Sequence, residues 1–234
     1  MLEQFKLNRK FIEQLTTLIK KNDSLSIAKK LKEIHPADIA DIIEELPQEH
    51  ARFLFEIFEN PKSADIIVEL DDDVRELILH ALSPKKIARK LIDNLESDNA
   101  ADVISELSEE KKIKVLSHIE NKNQADNIAD LLNYSNDTAG ALMAKELIQV
   151  NENWTTVKCL KEMRKQAERI KNIHTIYVIN DSNEICGLLS LKKLLVTEKS
   201  TIVKSIINTN FISVSTKTKN EEVANIMNKY NLVV

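Results

Sequence analysis

The chain has 234 residues, a formal net charge of −4, and only two glycines, where a chain of this length ordinarily carries about sixteen. Gly140 and Gly187 stand too far apart to build a P-loop, a GxGxxG turn or a GxSxG nucleophile elbow, which excludes the enzyme classes that depend on them. Four prolines, 43% hydrophobic and 30% charged residues predict a folded, mainly helical protein, and 4% aromatic content makes its cores aliphatic.

The charge is unevenly shared. Residues 1–140 hold 28 Asp/Glu and 19 Lys/Arg, a balance of −9, whereas residues 141–234 hold 9 and 14, a balance of +5. Two domains of different purpose are expected, and the acidic half argues against nucleic acid as a partner. The longest stretch without a charge, Ser205 to Thr216, is shorter than the roughly 20 apolar residues a bilayer-spanning helix needs. Glu3, Lys6, Arg9 and Lys10 interrupt any apolar run that could serve as a signal peptide. Cys159 and Cys186 form no close pair, and the five histidines are scattered without HExxH or CxxC, so a disulfide or zinc site is not expected.

Residues 1–132 read as a string of short helices. Phe11, Leu15, Leu18 and Ile19 recur at helical spacing, and Asp23 or Ser24 can cap a second helix with Ile27, Ala28, Leu31 and Ile34 on its inner side. Pro36, Pro61 and Pro84 fit first helical turns, where a missing N–H has no partner to lose. An alanine–aspartate motif then repeats: Ala37-Asp38-Ile39, Ala64-Asp65-Ile66, Ala101-Asp102-Val103 and Ala125-Asp126 with Ile128. Helices of about ten residues are unstable alone, so stacked pairs sharing an apolar stripe, an α-solenoid, are predicted. The Asp71-Asp72-Asp73 run precedes such a helix and reads as a cap rather than a metal site. His35 reads as a turn residue, and His118 lacks the neighbours of a hydrolase triad.

After Gly140 the pattern changes to β-α-β-β-α. Ile148-Gln149-Val150 reads as a strand and Thr155 to Gln166 as a helix capped by Thr155 or Thr156. His174 to Ile179 and Ile185 to Ser190 read as a hairpin across Asn180-Asp181-Ser182-Asn183, and Leu191 to Val196 as a short helix. The unit then restarts with a strand at Ile212 to Val214, a helix from Thr218 to Tyr230 and a strand at Leu232-Val233-Val234, where the chain stops. A stop inside an apolar strand suggests that further sequence follows.

HPADIAD (His35 to Asp41), DTAGALM (Asp137 to Met143) and the β-α-β-β-α units together resemble the cytosolic part of the MgtE family of magnesium channels and transporters. The resemblance implies a multidomain, mainly α fold: a helical-repeat N domain over 1–136, a first α/β CBS domain over 137–200, and part of a second over 201–234. It implies a regulator and not an enzyme, on the cytoplasmic side of the cell membrane, with a transmembrane pore domain in the full-length protein and a homodimer through the CBS region. Mg2+ is the implied ligand, bridging acids of the N and CBS domains so that the compact state closes the pore. The family pattern places metal-binding acids at Asp98, Asp102, Asp65 and Glu221. Two neighbouring family acids are replaced here, by Lys219 and Asn231.

The residues fit that chemistry. Mg2+ keeps several waters and takes one or two carboxylates, and Asp98 and Asp102, four apart, share one helical face. Read alone, these two are ordinary surface acids at a helix start. CBS domains also bind adenine nucleotides through a G-h-x-[ST]-x-x-D motif. Here it runs Gly187-Leu188-Leu189-Ser190-Leu191-Lys192-Lys193, with a lysine where the ribose-binding Asp is expected. An ammonium cannot accept the ribose hydroxyls, so nucleotide binding is expected to be weak or absent. The rival readings are an adenine-nucleotide sensor and a helical-repeat scaffold for another protein.

Overall fold

The computed structural model describes residues 7–168, 170 and 173–232, and the chain divides into two compact units, Met1–Ala129 and Asp130–Val234. In the first unit helices of 8 to 12 residues follow one another with tight turns: α1 (Arg9–Lys20), α2 (Ser24–Leu31), α3 (Pro36–Glu44), α4 (Gln48–Ile57), α5 (Asn60–Glu69) and α6 (Asp72–Ala81). Then come α7 (Pro84–Lys86), α8 (Ser97–Ser105), α9 (Glu109–His118) and α10 (Lys122–Leu131). The start signals work as the sequence predicts. Asp23 caps α2 by accepting from Ser26 N at 3.1 Å, and Pro36, Pro61 and Pro84 occupy first turns. His35 caps α3, its Nδ1 accepting from Ala37 N at 3.2 Å. Asp71 stands at the start of α6, with Asp72 and Asp73 in its first turn. Asp71 makes no side-chain capping hydrogen bond, Asp72 and Asp73 place charge at the positive helix end, and Asp72 Oδ1 also accepts from Arg75 Nη2 at 2.5 Å.

The core follows the repeat. Ile39, Ala40, Ile42 and Ile43 of α3 and Ala64, Ile66 and Ile67 of α5 are all buried, and these two helices pack on each other. The small alanine lets the backbones approach while the branched residues fill the layer. The side of α2 that faces inward is narrower than expected: Ile27 and Leu31 are buried, but Ala28 is exposed. After α7 the regular spacing breaks. Ile87–Leu91 form a π turn and Ile92–Asn94 a 3₁₀ turn, with Ile87, Ala88, Leu91 and Ile92 buried. Their spacing at i, i+1, i+4 and i+5 puts all four on one helical face, and the π turn falls within that buried stretch.

One device recurs through this unit. Lys62 Nζ donates to Leu31 O (2.8 Å), Lys32 O (2.8 Å) and Ile34 O (3.0 Å). Lys90 Nζ reaches Phe58 O at 2.9 Å and Glu56 O at 3.2 Å, and Lys111 Nζ reaches Leu79 O at 2.7 Å. Gln124 Nε2 donates to Ile92 O and Leu95 O, both at 2.9 Å. The carbonyls left over at the end of a helical segment are thus satisfied by a side chain roughly one repeat later.

The second unit carries β1 (Ile148–Asn151), α12 (Thr156–Ala167), β2 (Ile176–Ile179), β3 (Ile185–Leu189), α13 (Leu191–Val196) and α14 (Asn220–Tyr230), preceded by a single turn, α11 (Ala139–Leu142). The sheet order is β1-β2-β3. β1 pairs parallel with β2 (Ile148 opposite Ile176), and β2 pairs antiparallel with β3 (Ile176 opposite Leu189). The hairpin turns at Asn183, whose φ of 64° suits asparagine. Ile148, Val150, Ile176, Val178 and Leu189 on the sheet bury against Cys159 and Met163 of α12 and Leu194 of α13. Trp154 packs partly buried at the margin of this core, with Lys158 Nζ 4.5 Å from its ring.

The expected strand at Ile212–Val214 does not form. No described segment pairs with it, and Ile212 and Val214 are 43% and 39% exposed. Apolar alternation makes a strand only where a neighbouring strand supplies hydrogen bonds. The following helix begins at Asn220 rather than Thr218, because the Thr218 carbonyl is taken by Ala139 N at 2.8 Å. It ends at Asn231, in the left-handed conformation. Of the strand expected at Leu232-Val233-Val234, Leu232 is in no strand, and Val233 and Val234 lie outside the described residues.

Candidate functional site

The acids singled out in the sequence fall on three helices. Asp98 and Asp102 project from α8, which enters at Ser97 with Asp98 in its first turn. Four residues apart, they lie on one face, and Glu106 continues that line just past the helix end. Asp102 has its carboxyl pushed up, first by the packing around it and then by the negative charge of Asp98, against a partial offset from Arg75. Glu106 is also raised by burial, and Arg75 opposes that shift. Arg75, from α6, is only 16% exposed at its side chain. It donates to Glu106 Oε1 at 2.7 Å and to the Leu70 carbonyl at 3.1 Å.

The consequence is a division of labour along one line of carboxylates. Glu106 has its cation built in. Asp102 feels the charge of Asp98, and among the described residues Arg75 offsets that charge only in part. A proton on Asp102 or a bound cation would relieve that repulsion. A hard divalent ion that holds water and uses one or two carboxylates fits such a pair.

Asp65 lies half-buried on α5, and Glu221 is exposed in the first turn of α14, in the other unit. Among the described residues, no group of three or more His, Cys, Asp or Glu side chains converges in the manner of a closed metal cage. Lys219, at the start of α14, ion-pairs with Asp137 of the DTAGALM stretch, and Asn231 closes the same helix. Sequence reasoning had no means of pairing Asp137 with Lys219, since 82 residues separate them.

The nucleotide-motif residues are engaged otherwise. Ser190 Oγ caps α13 by accepting from Lys193 N at 3.2 Å. A side chain at Gly187 would meet Asn208 O at 2.9 Å and the Ile207 side chain, and Leu188 exchanges backbone hydrogen bonds with Asn208. The glycine therefore serves a crossing of the chain over β3, a simpler role than the ligand approach expected from the motif. Gly140 lies inside α11 under the Tyr134 ring, which leaves no room for a Cβ there. It is a packing glycine.

A helical-repeat domain followed by a CBS-type α/β domain is the class these elements define. Residues 34–137 match the family described as the MgtE intracellular N domain, and residues 139–198 match the CBS domain family. The helical unit thus carries an MgtE N domain, and a CBS domain follows it. Over 229 residues it is 28% identical to the magnesium transporter MgtE of Thermus thermophilus, covering 97% of this chain and 51% of that protein. The chain thus spans about half the length of that relative. It is also similar to the crystal structure of the cytosolic domain of the Mg2+ channel MgtE in complex with ATP. The TM-score there is 0.85 at 27% identity, covering 94% of this chain and 90% of that one. The crystal structure of the soluble part of a magnesium transporter shares the fold, with a TM-score of 0.79 at 24% identity over 95% of this chain and 87% of that one. Among the described residues no helix is long and apolar enough to cross a membrane.

Proposed function

We propose that this chain is the cytosolic Mg2+-sensing region of an MgtE-type magnesium channel or transporter, lying on the cytoplasmic side of the cell membrane and acting on a transmembrane pore domain. In this reading residues 1–136 form the N domain, 137–200 the first CBS domain and 201–234 the opening of the second. Its role is regulatory and not enzymatic. The observation that carries it is the Asp98–Asp102 pair on one face of α8, where burial and then the neighbouring charge of Asp98 raise Asp102, with only a partial offset from Arg75. Mg2+ bridging this pair, with Asp65, to an acid of the CBS region such as Glu221 favours the compact, pore-closing state. By linkage, an ion that binds the compact state better must also stabilise it.

A homodimer through the CBS region is supported by exposed apolar side chains. Val157 (51% exposed), Leu195 (61%) and Val196 (77%) lie on α12 and α13, and the first two border an open cleft of about 600 Å³ between those helices. Small-angle scattering tests the sensing itself: the radius of gyration should fall as Mg2+ rises through the millimolar range. The double variant Asp98→Asn, Asp102→Asn should lose that fall. A profile indifferent to Mg2+ refutes the sensor reading, and a double variant that compacts normally refutes the site.

The ATP bound to the similar MgtE cytosolic domain favours a second reading, adenine-nucleotide sensing. Lys193 in the ribose-acid position argues against it here. Calorimetry with ATP, in which saturable binding would favour the second reading, separates the two.

A further inference from the structure

Within the second unit, two stretches far apart in sequence meet edge to edge. Ala139 N donates to Thr218 O at 2.8 Å, Gly140 N to Thr216 O at 2.9 Å, and Asn220 N to Asp137 O at 3.0 Å. Thr138 and Lys219 form an antiparallel bridge between them. Across the same junction the Lys219 ammonium donates to Asp137 Oδ2, while Ser135 Oγ donates to Asp137 Oδ1 at 2.8 Å and holds the carboxylate toward it. Thr138 is buried, and the Gly140 backbone is pressed under Tyr134, so the first stretch is fixed from behind as well.

We infer that residues 135–140 and 216–220 form a clasp closed by the protein's own cation, which joins the DTAGALM stretch to the first turn of α14 without any divalent ion. Three main-chain hydrogen bonds set its register and the ion pair secures it. Hydrogen bonding from Lys219 and from Ser135 holds the Asp137 carboxyl below the usual carboxylate range, so the clasp keeps its charge through the physiological range. Glu221 lies two residues beyond Lys219, in the turn that the clasp orients. A displacement of that turn is therefore passed directly to the stretch that opens the second unit. The clasp itself is independent of whether Glu221 binds Mg2+.

Amide hydrogen exchange at Ala139, Gly140 and Asn220, read by NMR, tests this. The three amides should be equally protected in chelator and in millimolar Mg2+. Lys219→Met keeps the side-chain stem and removes the charge, and it should speed their exchange roughly two- to fivefold, the scale of an exposed ion pair. The exchanged pair Asp137→Lys with Lys219→Asp should recover most of the protection. Protection that appears only when Mg2+ is added overturns the inference, as does Lys219→Met exchanging at the wild-type rate or an exchanged pair that recovers nothing. None of these readings depends on compaction, so failure of the Mg2+-sensing proposal and failure of the clasp are distinguishable.

Discussion

Lys62 offers the sharpest test of how the helical unit holds together. Its ammonium donates three hydrogen bonds, to Leu31 O, Lys32 O and Ile34 O, and lies 5.8 Å from the Phe58 ring centroid. Lys62→Met removes the donors and keeps most of the apolar stem, so packing loss is small. A hydrogen bond from a charged donor contributes about 1.5–3 kcal/mol net, and stranding a buried carbonyl costs about 1–3 kcal/mol. Two of the three bonds are part-buried and the third is exposed, so water replaces some of what is lost. Burial also opposes the charge, drawing the ammonium below its ordinary value. Setting these against one another, the variant should lose about 2 kcal/mol, a fall of roughly 4–8 °C in Tm for a chain of this size. Urea unfolding followed by far-ultraviolet circular dichroism measures it, with an unchanged m-value marking a pure stability effect. Lys161→Met, on the exposed face of α12, is the control and should be near neutral. A loss at Lys62 within about 0.5 kcal/mol of that control would refute the reasoning, and the same contacts at Lys90 and Lys111 would then be consequences of packing and not causes of it.

Two further outcomes follow from the same structure. Gly140→Ala places a methyl group inside the Tyr134 ring and should cost about 1–3 kcal/mol by overpacking, with Tyr134→Ala in the same chain relieving the clash; equal stability of the Gly140→Ala and wild-type chains in urea would contradict it. Asp102 has a folded-state pKa above its ordinary value, so the unfolded chain binds fewer protons and stability falls as pH rises from the ordinary value through the raised one. In chelator, Asp102→Asn should therefore be more stable than wild type near neutral pH and lose that advantage below the carboxylate range. A variant less stable than wild type at neutral pH would reverse the sign.

The parts of the fold set by near neighbours were readable in advance. Pro36, Pro61 and Pro84 opened helices, Asp23 capped one, and Thr155 capped α12, because each acts on a backbone group within three residues. The hairpin at Asn183 was equally local. What escaped depended on partners remote in sequence. The apolar triplet Ile212–Val214 looked like a strand but had no described neighbour to pair with, and Thr218 lost its place in α14 to a bond from Ala139. The π turn at Ile87–Leu91 left no mark in the sequence, since the buried Ile87, Ala88, Leu91 and Ile92 keep an ordinary helical spacing. At the candidate site, the shared face of Asp98 and Asp102 could be deduced from their spacing. The claim of Arg75 on Glu106, which leaves Arg75 only a partial offset at Asp102, could not, since 31 residues separate the two.

The carbonyl-capping side chains of the helical unit also set a timetable for synthesis. Lys62 follows the helix end it caps by 28 to 31 residues, and Lys90, Lys111 and Gln124 do so by 29 to 34. At about 5–20 residues per second, each helix end waits roughly one to seven seconds on the ribosome before its partner is made. The Asp137–Lys219 contact, 82 residues apart, closes roughly four to sixteen seconds after Asp137 is made. The first unit can thus zip shut repeat by repeat while the nascent chain grows, and the opening of the second is fastened only when α14 has begun to appear.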